Sequence, residues 1–510
     1  MRRQTLVTNR SSEPPLIILG PPGTGKTTTL MNIVEQLLED GVKPDEIGFI
    51  SFTKKATQEA RDKAKARFGF CNDQMPFFRT IHSLSFMQLG LARQQVMQHS
   101  HYRELCDFIG VEMNGRQASE DGSMKGLARG DKLKFIEGLA RIRCVSLKEQ
   151  WEQVSDDEVT WFELDHFARS LKAYKDETGL IDYTDMLEMM RVMGHVPRLK
   201  ALLVDEAQDL SKLQWEVVAR VAKEADQVIV AGDDDQAIFR WAGADVDNFI
   251  NLEGNVKVLD QSYRIPGNIQ DLSNCLIRGL HKRRHKEFKP ASHNGSIERY
   301  TDMEHVDLSS GQWLILARNV YMLKDVVNLC HRSGYSYECQ GISPRQSETL
   351  SAVRWWEKLR KGDSINIDQA RHVYELMGRD KVAHGHKTLK KVAHNEVDLT
   401  TLINEYGLMT DAPWYEALDR ISDEEKEYFL AARRSGEKLT GDPRIVISTI
   451  HGAKGGEADN VLLLTDISPK TYDSMQNDPD DETRVFYVAV TRTKKTLHIV
   501  MPQTQRYFDL

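Results

Sequence analysis

Gly20-Pro21-Pro22-Gly23-Thr24-Gly25-Lys26-Thr27 fits the pattern G-x-x-x-x-G-K-[ST], and Thr28 follows it. The apolar run Pro15-Leu16-Ile17-Ile18-Leu19 leads in, and Leu30, Ile33, Leu37 and Leu38 lead out at helical spacing. A strand, a glycine-rich turn and a helix form the setting in which such a loop wraps phosphate. The glycines let backbone N–H groups curl around phosphate oxygens, and the helix N-terminus adds the positive end of its dipole. Lys26 can reach the β- and γ-phosphates, and Thr27 can offer its hydroxyl to Mg2+. The stretch therefore predicts a P-loop that binds a nucleoside triphosphate.

Outward from the loop, short apolar strand candidates alternate with helical stretches. They are Leu16–Leu19, Gly48–Phe52, Ala201–Val204, Val228–Ala231, Val256–Leu259, Trp313–Ala317, Arg444–Ser448, Val461–Leu464 and Leu497–Met501. Continuous apolar runs favour parallel strands covered on both faces, so the fold class is α/β with parallel sheets. The strands fall into two groups, before and after about Leu252. Two intervals break the rhythm: residues 91–181 and 363–439 are polar, helix-like and strand-poor. Both are expected to be helical insertions into α/β cores, the second one removable and too polar to be buried under a sheet.

A chain of 510 residues is expected to hold more than one core. The six cysteines, Cys71, Cys106, Cys144, Cys275, Cys330 and Cys339, contain no C-x-x-C pair. That speaks against a zinc or iron–sulfur site and against a disulfide framework. The stretch Met1 to Pro15 has no apolar core of a signal peptide, and no run has the length of a membrane span. A cytoplasmic protein is the expectation. At a net charge of −8, any nucleic-acid binding has to use a local groove rather than a global field.

A second apolar run, Leu202-Leu203-Val204, ends in Asp205-Glu206-Ala207-Gln208-Asp209. In a P-loop enzyme the first acid at such a strand end can hold Mg2+ and the next can polarise the attacking water. A third run, Val228 to Ala231, ends in Gly232-Asp233-Asp234-Asp235-Gln236, and Phe239 and Trp241 follow. Gln236 can hydrogen-bond a γ-phosphate or its water. The two aromatics can stack on bases, or lie in the core. The basic run His281-Lys282-Arg283-Arg284-His285-Lys286 reads as a solvated helix end, with a phosphate-contacting patch as the alternative. His384, His386 and His394 sit in a basic stretch without a convincing set of further metal ligands.

Taken together, these stretches resemble the UvrD/PcrA/Rep-type superfamily 1 helicases, almost end to end. Gly20–Thr27 resembles motif I, Ser51–Ala56 motif Ia, and Thr80–Ser83 motif Ib. Asp205–Asp209 resembles motif II, Gly232–Trp241 motif III, and Gln261–Arg264 motif IV. Thr449–Glu457 is similar to motif V and Tyr487–Arg492 to motif VI. Relatives carry a glutamine ahead of motif I, for which Gln4 is at a plausible distance.

The resemblance implies two RecA-like domains with ATP in the cleft between them. The first would span residues 1–90 and 182–252 with the insertion 91–181. The second would span 253–362 and 440–510 with the short accessory insertion 363–439. It implies that Gly20, Pro21, Pro22, Gly23, Thr24, Gly25, Lys26, Thr27 and Thr28 hold phosphates. Thr27 and Asp205 would serve Mg2+, Glu206 the water, and Gln236 the γ-phosphate. Tyr263 would stack on adenine, Glu457 would contact the nucleotide, and Arg264 and Arg492 would be arginine fingers. Phe52, Thr53, His82, Phe239, Trp241 and His451 would line a single-strand track. The implied activity is an ATP-dependent 3′→5′ single-stranded DNA translocase and helicase. Its substrates would be single strands and tailed duplexes, and it would act as a monomer or weak DNA-dependent oligomer. The short second insertion motivates an alternative, a DNA-stimulated ATPase that remodels protein–DNA complexes and unwinds weakly.

Overall fold

The computed structural model describes residues 13–52, 54–154, 159–389, 395–439 and 441–510. The chain divides into two compact units. The first comprises residues 1–297, 465–497 and 502–510, and the second residues 298–464 and 498–501.

The first unit is built on a six-stranded sheet. Its strands are β1 (Leu16–Leu19), β2 (Ile47–Ser51), β3 (Phe78–Thr80), β4 (Leu199–Asp205), β5 (Ala225–Gly232) and β6 (Asn255–Val258), in the order β3-β2-β4-β5-β1-β6. All the pairings are parallel. Side chains alternate across a strand, and the two faces bury different residues. Ile17, Leu19, Leu202, Val204, Val228 and Val230 pack with Leu213, Val217 and Val218 of the helix Lys212–Ala222. Ile18, Ala201, Leu203, Ile229 and Ala231 pack with Leu30, Met31 and Val34 of the helix Lys26–Glu39. This is why the runs Leu16–Leu19, Ala201–Val204 and Val228–Ala231 are apolar at every position rather than at alternate ones. Register aligns the ends: Leu19 lies beside Gly232, Val204 beside Val230, and Ser51 beside Asp205. The residues that follow these strands therefore gather at the carboxyl edge of one sheet, where ligands of open α/β sheets bind.

Within the interval 91–181 lie the helices His99–Phe108, Arg129–Ile142, Leu147–Gln153 and Trp161–Thr178, with a core of their own around Leu133, Ile136, Leu164 and Phe167. Arg141 ties this group to the helix Tyr183–Val192, bonding Asp182 at 2.8 Å and Glu188 at 2.9 Å.

In the second unit, β8 (Trp313–Ala317) pairs in parallel with β12 (Ile445–Thr449) and β13 (Ala458–Leu464), and β12 pairs with β9 (Tyr337–Cys339). Strands β7 (Ser296–Tyr300) and β14 (Thr493–Val500), within which the division of the chain falls, complete the order β7-β14-β13-β8-β12-β9. A short antiparallel pair, β10 (Ile365–Asn366) and β11 (Glu396–Val397), lies inside the interval 363–439. All nine expected strands are present. The short strands β3, β7 and β9 carry too few apolar residues to stand out in the sequence.

Burial corrects the reading of 363–439 as too polar for a core. Ala370, Val373, Tyr374, Met377, Leu402, Leu408, Trp414 and Leu418 are buried in one continuous cluster with Trp313, Ile315, Ile447 and Leu462 of the sheet. Trp356, fully buried, donates its indole N–H to the Ala412 carbonyl at 3.0 Å. Charged residues are numerous in this interval, and Asp368, Arg371, Glu375, Asp423, Glu424, Glu427, Arg433 and Arg434 lie exposed on its helices. Among the described residues no helix is long and apolar enough to cross a membrane.

Trp356→Ala is expected to destabilise the second unit by about 3–5 kcal/mol, the usual cost of emptying a buried tryptophan site. Urea unfolding followed by probes placed separately in the two units checks this. A second-unit midpoint equal to that of the unaltered chain would show that 363–439 is not part of that core.

Candidate functional site

The loop after β1 closes on itself before it meets any ligand. Thr24 donates its hydroxyl to the Pro21 carbonyl at 2.8 Å. Gly23 and Gly25 take positive φ, 73° and 80°, which side-chain-bearing residues rarely adopt. Gly20 is required for a different reason: a Cβ there would fall 1.9 Å from Lys26 Cγ. The lysine chain folds back over the loop, and its ammonium lies 3.2 Å from the Gly20 carbonyl and 3.5 Å from Glu206 Oε1. Gly23 leaves room for Arg264, whose Cβ would lie 2.3 Å from an added one. The Tyr263 N–H donates to the Gly23 carbonyl at 2.9 Å, and Ser262 Oγ donates to the Pro22 carbonyl at 2.8 Å. These bonds seat Tyr263 and Arg264 against the loop. The Tyr263 side chain is 79% exposed, a ring available to stack on a base. Thr28 is exposed on the first helical turn.

At the end of β4, Asp205 is buried and accepts a hydrogen bond from Thr27 Oγ1 at 3.4 Å. Burial and the neighbouring Glu206 raise its pKa, and Lys26 opposes them. A buried carboxylate beside a hydroxyl is a hard-oxygen set suited to Mg2+. Glu206 has φ of 52°, left-handed for a residue with a side chain. Such strain persists where the surroundings enforce it, commonly at functional sites. Gln208 donates its amide to Glu206 Oε2 at 2.5 Å and accepts the Asp233 N–H at 3.0 Å. Gly232 makes this possible, since a Cβ there would lie 2.6 Å from Gln208 Oε1.

Beyond β5 the connection continues. Gln236 donates its side-chain N–H to Asp233 Oδ2 at 2.6 Å, and Arg492 donates to Gln236 Oε1 at 3.1 Å. Arg492 is buried and follows the helix Asp480–Val490. The structure thus brings Lys26, Thr27, Asp205, Glu206, Gln236, Arg264 and Arg492 together in the first unit. Glu457 is exposed and His451 is buried, both in the second unit.

The basic run is solvated at His281, Lys282 and His285, as expected, but not throughout. It follows the helix Gly267–Arg278 without extending it, and Lys286 is buried rather than solvated. Its ammonium lies 3.0 Å from Asp233 Oδ1, 2.6 Å from Asp234 Oδ1 and 2.8 Å from Asp235 Oδ2. Arg283 grips both Asp235 oxygens, at 2.9 and 2.7 Å. The signal was present in the sequence: three consecutive carboxylates after a buried strand demand a cation. Gln208, two residues beyond Glu206, joins the site through its bonds to Glu206 and Asp233.

Among the expected track residues, the rings of Phe52 and Phe239 pack 5.6 Å apart and Trp241 is half-buried nearby in sequence. His82 packs edge-on against the exposed Tyr183 at 5.9 Å. Burial pushes the His82 pKa down to about 4, so the ring is neutral at pH 7 and offers a face rather than a charge. Arg240 pairs with Asp481 at 3.0 Å. Thr53, Gln4 and His394 lie outside the described residues.

Comparison with known proteins places this geometry in context. The UvrD/REP helicase N-terminal domain matches residues 2–257, and the UvrD-like helicase C-terminal domain matches residues 157–504. The ATP-dependent DNA helicase PcrA of Staphylococcus epidermidis (strain ATCC 35984) is 26% identical over 360 residues, covering 65% of this chain and 46% of that protein. The protein of the same name from Staphylococcus aureus (strain Mu50) is 26% identical over 317 residues, covering 57% and 42%. The chain spans less than half the length of these curated relatives.

Glu206→Gln is expected to retain nucleotide affinity and to slow hydrolysis by about 100-fold or more, because it keeps the shape and removes the charge that polarises water. Nucleotide titration and steady-state phosphate release separate the two. A collapse of affinity would instead make Glu206 a principal ligand of the nucleotide's metal.

Proposed function

The chain belongs to the UvrD-like helicase family, and on that premise we propose that it is an ATP-driven 3′→5′ translocase on single-stranded DNA that unwinds tailed duplexes. The observation that supports this reading best is the unbroken set of bonds from Glu206 through Gln208, Asp233 and Gln236 to Arg492. It joins the group that would activate water to the group that would neutralise the transferring phosphoryl.

In this reading Lys26 and the loop N–H groups bind the β- and γ-phosphates, and Tyr263 stacks on the base. Thr27 and Asp205 hold Mg2+, which would draw charge from the phosphate oxygens when bound. Glu206 orients a water and accepts its proton as it attacks the γ-phosphorus. Gln236 and the arginines Arg264 and Arg492 stabilise the charge that develops on the phosphoryl oxygens. Such groups act mainly in the transition state, and arginine fingers contribute about 10³–10⁵ in rate in known cases. Phe52, Phe239 and Trp241 present ring faces to successive bases, a sequence-tolerant contact of about 1–3 kcal/mol each. The polypeptide from Gln236 to Trp241 is six residues long, so one segment can respond to both phosphate and strand. We propose that it works as a monomer or a weak DNA-dependent oligomer.

Strand separation on 3′-tailed, 5′-tailed and blunt duplexes tests the proposal. Unwinding of the 3′-tailed substrate alone, with ATP, is expected. Preference for the 5′ tail would reverse the polarity. ATP turnover with no unwinding, but with displacement of a bound protein from the strand, would favour a protein-stripping motor.

A further inference from the structure

Four polar residues in succession, Asp233, Asp234, Asp235 and Gln236, are buried at the end of β5. Adjacent carboxylates out of water repel strongly, and the ladder of strands leaves them nowhere to turn. Lys286 meets all three with one ammonium, at 2.6 to 3.0 Å. Burial alone would favour its neutral form. The three carboxylates outweigh that, and its pKa is raised. Arg283 neutralises Asp235 through both oxygens. Charge balance does not explain the geometry, however, because Asp233 is held at several points with different consequences, among them the Asp235 N–H, which donates to Asp233 Oδ1 at 3.2 Å. Its Oδ1 faces Lys286 at 3.0 Å, its Oδ2 accepts from Gln236 Nε2 at 2.6 Å, and its N–H is bound by Gln208.

That arrangement decides which way Gln236 points. With its amide nitrogen committed to Asp233, its carbonyl oxygen is the end that meets Arg492, at 3.1 Å. The same cluster seats the helix that precedes Arg492. Arg484, buried on that helix, donates to the Asp234 carbonyl at 3.1 Å and to the Lys282 carbonyl at 2.6 Å. Lys286 and Lys282 belong to one short segment, so the segment that supplies the ammonium also docks the helix.

We infer that Lys286 is a positioning residue for ATP hydrolysis: by fixing Asp233 it orients Gln236 and keeps Arg492 aligned with Glu206. Lys286 touches neither nucleotide nor water in this account. It acts through Asp233. The inference rests on the proposed ATPase reading and names a residue outside all eight motifs. Its loss should lower the rate of the chemical step and leave ATP binding in place, because an arginine and a sensor glutamine matter most once charge develops.

Lys286→Met alone would leave buried carboxylates uncompensated and threatens the fold. The informative variants are therefore Lys286→Met with Asp234→Asn, which removes one charge of each sign, and Lys286→Arg, which keeps the charge and moves its donors. For each, thermal melting, steady-state ATP hydrolysis with saturating single-stranded oligonucleotide, and affinities for ADP with and without aluminium fluoride are measured. The double variant is expected to melt near the unaltered protein and keep its KM for ATP within roughly threefold. Its kcat should fall about tenfold or more, and aluminium fluoride should no longer tighten ADP binding. Lys286→Arg is expected to fold and to show the same split to a smaller degree. If the double variant does not fold, Lys286→Arg decides: unaltered kcat overturns the inference, and so does an equal loss in affinity and turnover. Unaltered turnover in a folded double variant would leave Lys286 as a neutraliser of charge only. Absence of turnover in the unaltered protein would overturn the ATPase reading itself, before any variant is compared.

Discussion

Three neighbouring aspartates that cannot reach water are the constraint on which the first unit is organised. β5 delivers Asp233, Asp234 and Asp235 into the interior, and cations from elsewhere in the chain compensate them there. Removing one partner from a buried ion pair typically costs 3–5 kcal/mol, so the segment carrying Arg283 and Lys286 has to return to the end of β5. Once there it holds the helix of Arg484, and that helix carries the chain to Arg492. Elements more than 200 residues apart in sequence are thus tied to one strand end. A hydrophobic substitute of equal volume could stabilise the fold as well. It could not hold the Gln236 amide in one orientation.

Around that point, small backbone departures do the positioning. Gly20, Gly23 and Gly232 are places where a neighbour's atoms occupy the volume of a methyl group, namely those of Lys26, Arg264 and Gln208. Glu206 accepts a left-handed backbone so that its carboxylate turns toward Lys26 and Gln208. Each departure lets neighbouring parts of the chain approach more closely than regular geometry with a side chain would allow. The proposed chemistry uses those approaches: water, phosphate and arginine have to meet within a few ångströms.

The sheets were legible because parallel strands buried on both faces read as unbroken apolar runs, and Ile17 to Leu19 and Leu202 to Val204 are of that kind. Strands such as Phe78–Thr80 and Tyr337–Cys339 are three residues long and carry polar residues, so local sequence could not separate them from loop. The P-loop and the acids after β4 were legible because phosphate chemistry restricts residue type and spacing together. Lys286 was not, because a basic run is solvated in most proteins, and its burial depends on acids 51 to 53 residues earlier. The interval 363–439 misled in the same way. Its charges are numerous, but Tyr374, Leu402 and Trp414 face inward with the sheet residues Trp313 and Ile447. Composition averages over faces that only the fold distinguishes.

In the proposed motor, nucleotide chemistry and strand binding are coupled through the segment Gln236–Trp241. Phosphate release from ATP, followed with and without a single-stranded oligonucleotide and with Lys26→Ala as the blank, tests this coupling most directly. Slow hydrolysis by the free protein, a rise of about tenfold or more when the strand is saturating, and no turnover by Lys26→Ala are expected. A rate that is the same with and without the strand, at oligonucleotide concentrations shown to be bound, would contradict it.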